Sequence, residues 1–137
     1  MENCIFCKVV NKEIPANIIY EDNRVMALLD IAQTTPGHAL IILKQHSDNI
    51  TQSNDQDLEH AIKIVKQVVA KQLKTLPNIK GVNVINNVLS GAGQSVMHTH
   101  IHMVPRYHDD EFGIKWKNNH GSVSPNTMKE LEKVLKL

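Results

Sequence analysis

Three histidines within five residues constrain this chain more than any other feature of its sequence. They alternate with other residues in the run His98-Thr99-His100-Ile101-His102-Met103-Val104. Such alternation predicts a β-strand, which we place at residues 97–104. Alternate side chains of a strand point to the same face, so the three imidazoles are expected to share one face. Because that face gives up apolar packing, the pattern indicates a chemical use for the histidines.

The remaining patterns predict an α+β fold. Apolar residues recur at helical spacing over residues 55–73, which indicates one long helix with Ser53 or Asn54 as its cap. The other predicted elements are a helical turn at 4–10, strands at 18–21, 24–29, 38–43 and 82–86, and a C-terminal helix at 125–136. Strands interrupted by one long helix favour an antiparallel sheet. No repeat or linker divides the 137 residues, so we expect one domain spanning residues 1–137.

The charge balance excludes broad electrostatic binding surfaces. Fifteen Lys and Arg residues against fourteen Asp and Glu residues leave a formal net charge of +1. A chain so nearly neutral has no field that steers it onto nucleic acid or an acidic membrane, so we expect neither as a partner. It also has no stretch long enough to span a membrane and no signal-peptide pattern, which predicts a cytoplasmic location.

Two chemical uses fit three imidazoles on one face: metal binding and phosphoryl transfer. Imidazole titrates at about pH 6.5, so one ring can attack phosphorus while its neighbour carries a proton. The preceding turn, which is also an ordinary hairpin connection, contains Gly91, Gly93, Gln94 and Ser95, which supply donors for an anion. A catalytic zinc ion held by all three histidines fits less well, because these positions spread over about 13 Å of strand.

The two cysteines, Cys4 and Cys7, form a C-x-x-C motif. In a reducing compartment this spacing indicates metal binding or redox chemistry before a structural disulfide. Redox activity is disfavoured, because no thioredoxin-like βαβ pattern surrounds the motif. The remaining alternative is that both cysteines are small apolar residues that pack the N-terminal turn.

The histidine run resembles the signature of the histidine triad family. The resemblance extends from Cys-Ile-Phe-Cys-Lys-Val-Val-Asn-Lys-Glu-Ile-Pro near the N-terminus to Val-Pro-Arg-Tyr after the histidines. It includes the segments Leu29-Asp30-Ile31, Pro36-Gly37-His38 and Gly93-Gln94-Ser95. The N-terminal stretch is most similar to the Hint-like branch, and Pro105-Arg106-Tyr107 resembles its bacterial members.

The resemblance implies a five-stranded antiparallel sheet, a homodimer, and a hydrolase that acts on purine nucleoside phosphoramidates and releases AMP or GMP. His100 matches the nucleophile that becomes nucleotidylated, and His102 and His38 match the histidines that assist it at the phosphate. The residues that match substrate contacts are Asp30, Ile31, Asn87, Gly93, Gln94 and Ser95. The residues that match ligands of a structural zinc ion are Cys4, Cys7, His46 and His98. No cofactor is expected to take part in the chemistry itself.

Two other functions remain open: hydrolysis of dinucleoside polyphosphates, and non-catalytic nucleotide binding as a scaffold. The chain also departs from the family pattern. Val88 and Leu89 follow Asn87 where family members often carry glycine two residues after the asparagine, and Met97 replaces a common aromatic residue. The segment from His108 onward has no strong match, so Trp116 and the last helix have no assigned role.

Overall fold

The computed structural model describes residues 3–137, so the first two residues of the expected domain 1–137 lie outside the described residues. Within it the five strands are β1 (Ile18–Glu21), β2 (Val25–Leu29), β3 (Ala39–Leu43), β4 (Gly81–Ile85) and β5 (His100–Arg106). The helices are α1 (Ile5–Val10), α2 (Asp55–Thr75) and α3 (Pro125–Leu135). All strand pairings are antiparallel, and the sheet order is β1-β2-β3-β5-β4. The predicted α+β fold with a five-stranded antiparallel sheet is therefore confirmed.

Helix α2 covers one face of the sheet. Its N-terminus is capped by the Asn54 side chain, which accepts a hydrogen bond from the Asp57 backbone N–H. Its apolar stripe packs on alternate residues of the central strands, and the buried members of this core are Val25, Ala27, Ala39, Ile41, Leu43, Ala61, Ile64, Val65, Val68, Ile101 and Met103. The apolar residues that recur with the helical period in α2 thus pack against the apolar residues that alternate along the strands.

The opposite face of the sheet carries the histidines. His100 lies opposite Ile42 of β3, and His102 lies opposite Leu40. Ile42 and Leu40 belong to a second apolar cluster, which α1 covers with Val9. Helix α2 and the two histidines therefore lie on opposite faces, and α1 is the element that closes the histidine side.

The strand prediction at residues 97–104 was wrong at both ends, because β5 begins at His100 and ends at Arg106. Before His100 the backbone leaves the sheet: the Thr99 N–H donates to the Ser47 carbonyl, and the His98 N–H donates to the Val96 carbonyl. His98 therefore lies in a bend, and only His100 and His102 are related by strand geometry.

Helix α3 forms where expected, with Ser124 as its N-cap and Pro125 in its first turn. None of its residues is buried, and its apolar side chains, among them Leu131 and Leu135, form an exposed stripe. Within residues 3–137, no helix is both long enough and apolar enough to cross a membrane.

Candidate functional site

His100 presents one unprotonated ring nitrogen to a cavity. Its Nδ1–H donates to the backbone carbonyl of His98 at 2.6 Å, which leaves the lone pair on Nε2. Within residues 3–137, Nε2 has no hydrogen-bond partner, and although the residue is only 4% exposed it lines a cavity. Burial lowers the pKa of the imidazole, and the carbonyl contact partly opposes this effect. The ring is thus held neutral, as a nucleophile requires.

His102 and His38 form a hydrogen-bonded chain beside this ring. The Thr34 backbone N–H donates to His38 Nδ1 at 3.3 Å, so the His38 proton lies on Nε2. His38 Nε2 lies 2.9 Å from His102 Nδ1, to which it donates. The remaining His102 proton therefore lies on Nε2. Ring centroids of His100 and His102 are 5.0 Å apart.

Electrostatics around the hydrogen-bonded pair His38 and His102 favour neutral rings. Burial, followed by the nearby His100 and His38, lowers the pKa of His102 to about 4. Burial also lowers the pKa of His38, against the attraction of the Asp30 carboxylate 3.5 Å from its Nε2. In the absence of a bound anion the site carries no fixed positive charge on these rings at neutral pH.

The cavity has a volume of about 230 Å³ and is mostly apolar. Phe6 of α1 forms one wall and meets the His100 ring edge-on, with centroids 5.1 Å apart. Asp30, Ile31 and Ser95 also line it, and Ile31 is 90% exposed at its mouth. The structure therefore brings Asp30, Ile31 and Ser95 together with the two histidines, around a space with an apolar interior and a polar end.

The turn before β5 brings Asn87 and Gly93 together but turns Gln94 away. Asn87 Nδ2 donates to the Gly93 carbonyl at 3.4 Å, and Gly93 has a left-handed φ of 95°. Gln94 is 4% exposed, and its carboxamide is bonded to the backbone of Leu89, Asp48 and Val96. The Gln94 side chain therefore has no free donor for a substrate, unlike the expectation from sequence.

Cys4, Cys7, His46 and His98 form a second, separate cluster, with one ligand atom from each within 4.8 Å of the others. The Nδ1 atom of His98 lies 3.3 Å from Cys4 Sγ and 3.6 Å from Cys7 Sγ. The Nδ1 atom of His46 lies 3.3 Å from Cys7 Sγ and 3.2 Å from His98 Nδ1. A tetrahedral zinc ion with Zn–S bonds of about 2.3 Å and Zn–N bonds of about 2.0 Å needs edges of about 3.3–3.8 Å.

The outer hydrogen bonds of this cluster also fit a metal ion. His98 Nε2 donates to the Leu43 carbonyl at 2.6 Å, and His46 Nε2 faces the Asp48 carboxylate at 2.9 Å. Both Nε2 atoms must therefore carry the proton, which leaves two Nδ1 lone pairs facing each other. A cation between them removes this repulsion, and histidine ligands commonly have such carbonyl or carboxylate partners.

Asp30, His38 and His102 also lie close enough to share an ion. Here, however, the Thr34 N–H donates to His38 and His38 donates to His102, so both of these donors already have an acceptor. The hydrogen bonds of this group are therefore made without a metal ion.

Two residues that shape the site were not singled out from the sequence. Phe6 lies between the two cysteines and packs edge-on against both His98 and His100. Gln33 donates from Nε2 to the His38 carbonyl and accepts from the Gly37 N–H, each at 2.8 Å, and so fixes the turn that presents His38. The position of Phe6 within C-x-x-C was a usable signal, but nothing in the sequence marks Gln33.

Two solved structures of related proteins have the same fold as this chain. A HIT family hydrolase from Clostridium thermocellum is 38% identical, with a TM-score of 0.71, and the match covers 85% of this chain and 99% of that one. A zinc-bound histidine triad family protein from Mycobacterium smegmatis is 26% identical, with a TM-score of 0.76 and coverage of 97% and 98%.

The sequence comparisons agree with the structural ones. The model of the HIT domain family matches residues 11–109. An uncharacterized HIT-like protein of Borreliella burgdorferi is 40% identical over 133 residues, which cover 96% of this chain and 94% of the relative. A HIT family member from Bacillus subtilis, whose crystal structure is solved, is 36% identical in sequence, with a TM-score of 0.90. The match covers 96% of this chain and 94% of that one. The chain therefore belongs to the HIT domain family.

Proposed function

We propose that this protein hydrolyses purine nucleoside monophosphate derivatives of the phosphoramidate type through a covalent nucleotidyl intermediate on His100. One observation carries the proposal: the ring of His100, with a bare Nε2, and the ring of His102, with a protonated Nε2, have centroids only 5.0 Å apart. A nucleophile and a proton donor on neighbouring rings are the two groups that displacement at phosphorus needs. The description of the Clostridium relative as a hydrolase is consistent with this chemistry.

In the first step, His100 Nε2 attacks the α-phosphorus. A bond forms between Nε2 and phosphorus, and the bond from phosphorus to the leaving group breaks. The leaving group departs with a proton that His102 takes up when the anionic substrate binds, so His102 passes from imidazolium to neutral imidazole. The hydrogen bond from His100 Nδ1 to the His98 carbonyl orients the ring and stabilises the positive charge that develops on it. His38 holds His102 in the tautomer that carries its proton on Nε2.

In the second step, water attacks the same phosphorus. The bond between phosphorus and His100 breaks, His100 recovers its lone pair, and one proton of the water returns to His102. The products are a nucleoside monophosphate and the protonated leaving group, so atoms and charges balance over the cycle. An anionic phosphate beside His102 opposes the effect of burial and raises the pKa of that ring during turnover.

We assign parts of the nucleotide to residues in and beside the cavity. Phe6 and the neighbouring apolar side chains suit the flat face of a purine, with Ile31 at the mouth. Asp30 offers carboxylate oxygens to the ribose hydroxyls, which are donors. Ser95 lines the cavity, so we assign the phosphate end to its hydroxyl, together with Asn87 and Gly93 of the same turn.

A zinc ion held by Cys4, Cys7, His46 and His98 has a structural role in this proposal. Four protein ligands close the coordination shell, so the ion supplies cross-linking and no open position for substrate. It joins α1 to the bend that precedes β5. The zinc-bound relative from Mycobacterium smegmatis is consistent with such an ion.

The exposed apolar stripe of α3 and the edge strand β4, where Val84 is half exposed, support a homodimer. The thiols of Cys4 and Cys7 are free, which suits a reducing compartment and hence the cytoplasm. Light scattering after size exclusion tests the dimer, and a particle of monomer mass at micromolar concentration contradicts it.

Hydrolysis of adenosine 5′-phosphoramidate by matched variants tests the enzymatic proposal. His100→Ala is expected to lose at least about 1,000-fold in kcat, because it removes the nucleophile. His108→Ala is the control, since the His108 side chain is 86% exposed and outside the cavity. If His100→Ala hydrolyses the substrate at the wild-type rate, the assignment is wrong. If wild type binds AMP but turns over no nucleotide substrate, a non-catalytic role replaces the proposal.

A further inference from the structure

Leu89 has a backbone conformation that normally requires glycine. Its φ is 72° and its ψ is 158°, a region that L side chains rarely adopt because Cβ meets the backbone. The side chain is 59% exposed, so apolar burial does not account for the strain. Leu89 stands in the turn that connects Asn87 to Gly93, where the proposed function places the phosphate.

The Gln94 side chain holds Leu89 in place. Gln94 Oε1 accepts a hydrogen bond from the Leu89 N–H at 2.7 Å. Gln94 Nε2 donates to the Asp48 carbonyl at 2.6 Å and to the Val96 carbonyl at 3.0 Å, so the carboxamide is anchored on the far side. Gln94 is buried, which strengthens these contacts relative to bonds exposed to water.

The same conformation of Leu89 closes the turn. The Leu89 carbonyl accepts hydrogen bonds from the backbone N–H groups of Ala92 at 3.1 Å and Gln94 at 3.2 Å. If Leu89 relaxes to a negative φ, its N–H and carbonyl change direction and these bonds are lost together. Gly93 and Ser95, which flank Gln94, then move relative to His100.

We infer that Gln94 is a positioning residue, whose buried carboxamide holds Leu89 in a glycine-type conformation and thereby shapes the phosphate end of the cavity. This inference rests on the proposed function and deepens it, because it replaces a direct contact between Gln94 and substrate with an indirect action through Leu89. Asp48, which anchors Gln94 through its carbonyl, also receives the hydrogen bond of His46 on its carboxylate. The turn is thus tied to the cysteine–histidine cluster.

A double-mutant cycle separates the two roles of Gln94. Gln94→Met keeps the length of the side chain and removes all three of its hydrogen bonds. In Leu89→Gly the residue at position 89 needs no support from Gln94, because glycine adopts this conformation without strain. We expect Gln94→Met to lower kcat about 100-fold in the parent chain and about tenfold or less in the Leu89→Gly chain. Such a coupling is of the size found within one hydrogen-bond network. Gln67→Met, on the exposed surface of α2, is the control and is expected to show no coupling to Leu89→Gly.

Equal losses of kcat in both backgrounds would overturn the inference, because they indicate that Gln94 contacts substrate directly. If Gln94→Met alone does not fold, the cycle is measured on melting temperature, and Leu89→Gly should raise it more in the Gln94→Met chain than in the parent. An equal rise of the melting temperature in both chains contradicts the inference that Gln94 holds Leu89 in its conformation.

Amide hydrogen exchange gives a readout that does not depend on catalysis. The Leu89 N–H is expected to exchange slowly in the parent chain and at least tenfold faster in Gln94→Met, since its acceptor is lost. This difference stands even if the wild-type protein hydrolyses no phosphoramidate, so the two proposals fail separately. Equal protection of the Leu89 N–H in both proteins would overturn the inference that Gln94 holds Leu89.

Discussion

Removal of zinc from the cysteine–histidine cluster is predicted to lower the melting temperature by about 10–20 °C. Four of the six separations among the ligand atoms are 3.2–3.6 Å and all six are within 4.8 Å, so the folded chain binds zinc with little rearrangement. The unfolded chain holds no such arrangement, because Cys7 and His98 are separated by 91 residues. Zinc therefore stabilises the folded state by its binding free energy.

The size of the shift follows from linkage. Free zinc at 1,000 times its dissociation constant contributes about 4 kcal/mol. The entropy of unfolding is about 2.1 cal/mol/K per residue, which is about 0.3 kcal/mol/K for the 137 residues of this chain. The quotient, about 14 °C, is the expected shift at that zinc concentration.

Differential scanning calorimetry of the zinc-loaded protein, before and after dialysis against a chelator, measures this shift. Cys7→Ser should melt near the chelated protein and should respond to zinc much more weakly. His60→Ala is a matched control, because His60 contacts Asp22 and lies outside the cluster, so this variant should respond to chelator as fully as wild type. An unchanged melting temperature on chelation, or an equal zinc response of Cys7→Ser, would refute the reasoning.

Two further predictions concern stability. The pKa of His102 falls to about 4 in the folded state, from about 6.5 in the unfolded chain, so between these pH values the folded state binds fewer protons. The free energy of unfolding should therefore fall as the solution is acidified through this window, by about 3 kcal/mol from this residue, and His102→Gln should flatten that part of the pH profile in urea titrations. Gly37→Ala should destabilise the fold by more than about 1 kcal/mol, since Gly37 has a φ of 91° and an added Cβ would lie 2.7 Å from Leu76 Cδ1. Gly81→Ala, whose Cβ would meet no atom within 4 Å, is the control in the same denaturation assay, and equal stabilities for these two variants would contradict the argument.

The secondary structure was largely predictable because its signals are local. The apolar period of α2 and its Asn54 cap placed that helix within two residues of its end at Thr75. Alternation placed His100 and His102 on one face, but it could not reveal that His98 lies in a bend. That bend depends on the hydrogen bond from the Thr99 N–H to the Ser47 carbonyl, and a partner supplied by tertiary contact leaves no periodic pattern in the sequence.

Individual site residues were predictable from sequence where their residue type has few alternative roles. Two cysteines and two histidines meet in one cluster, as the family resemblance implied. Gln94 was different, because a glutamine beside glycines fits a phosphate contact and a backbone clamp equally well. Only the hydrogen bonds of its carboxamide distinguish the two, and the strained φ of Leu89 that explains the clamp is not visible in sequence.

The most direct test of the account is the mass of the protein during turnover. Wild type should be mixed with adenosine 5′-phosphoramidate, quenched within one turnover, and digested for peptide mapping by mass spectrometry. We expect one adenylyl group per chain, attached to His100 and absent from His100→Ala. Turnover without an adduct, or an adduct mapped to His102 or to any other side chain, would contradict it.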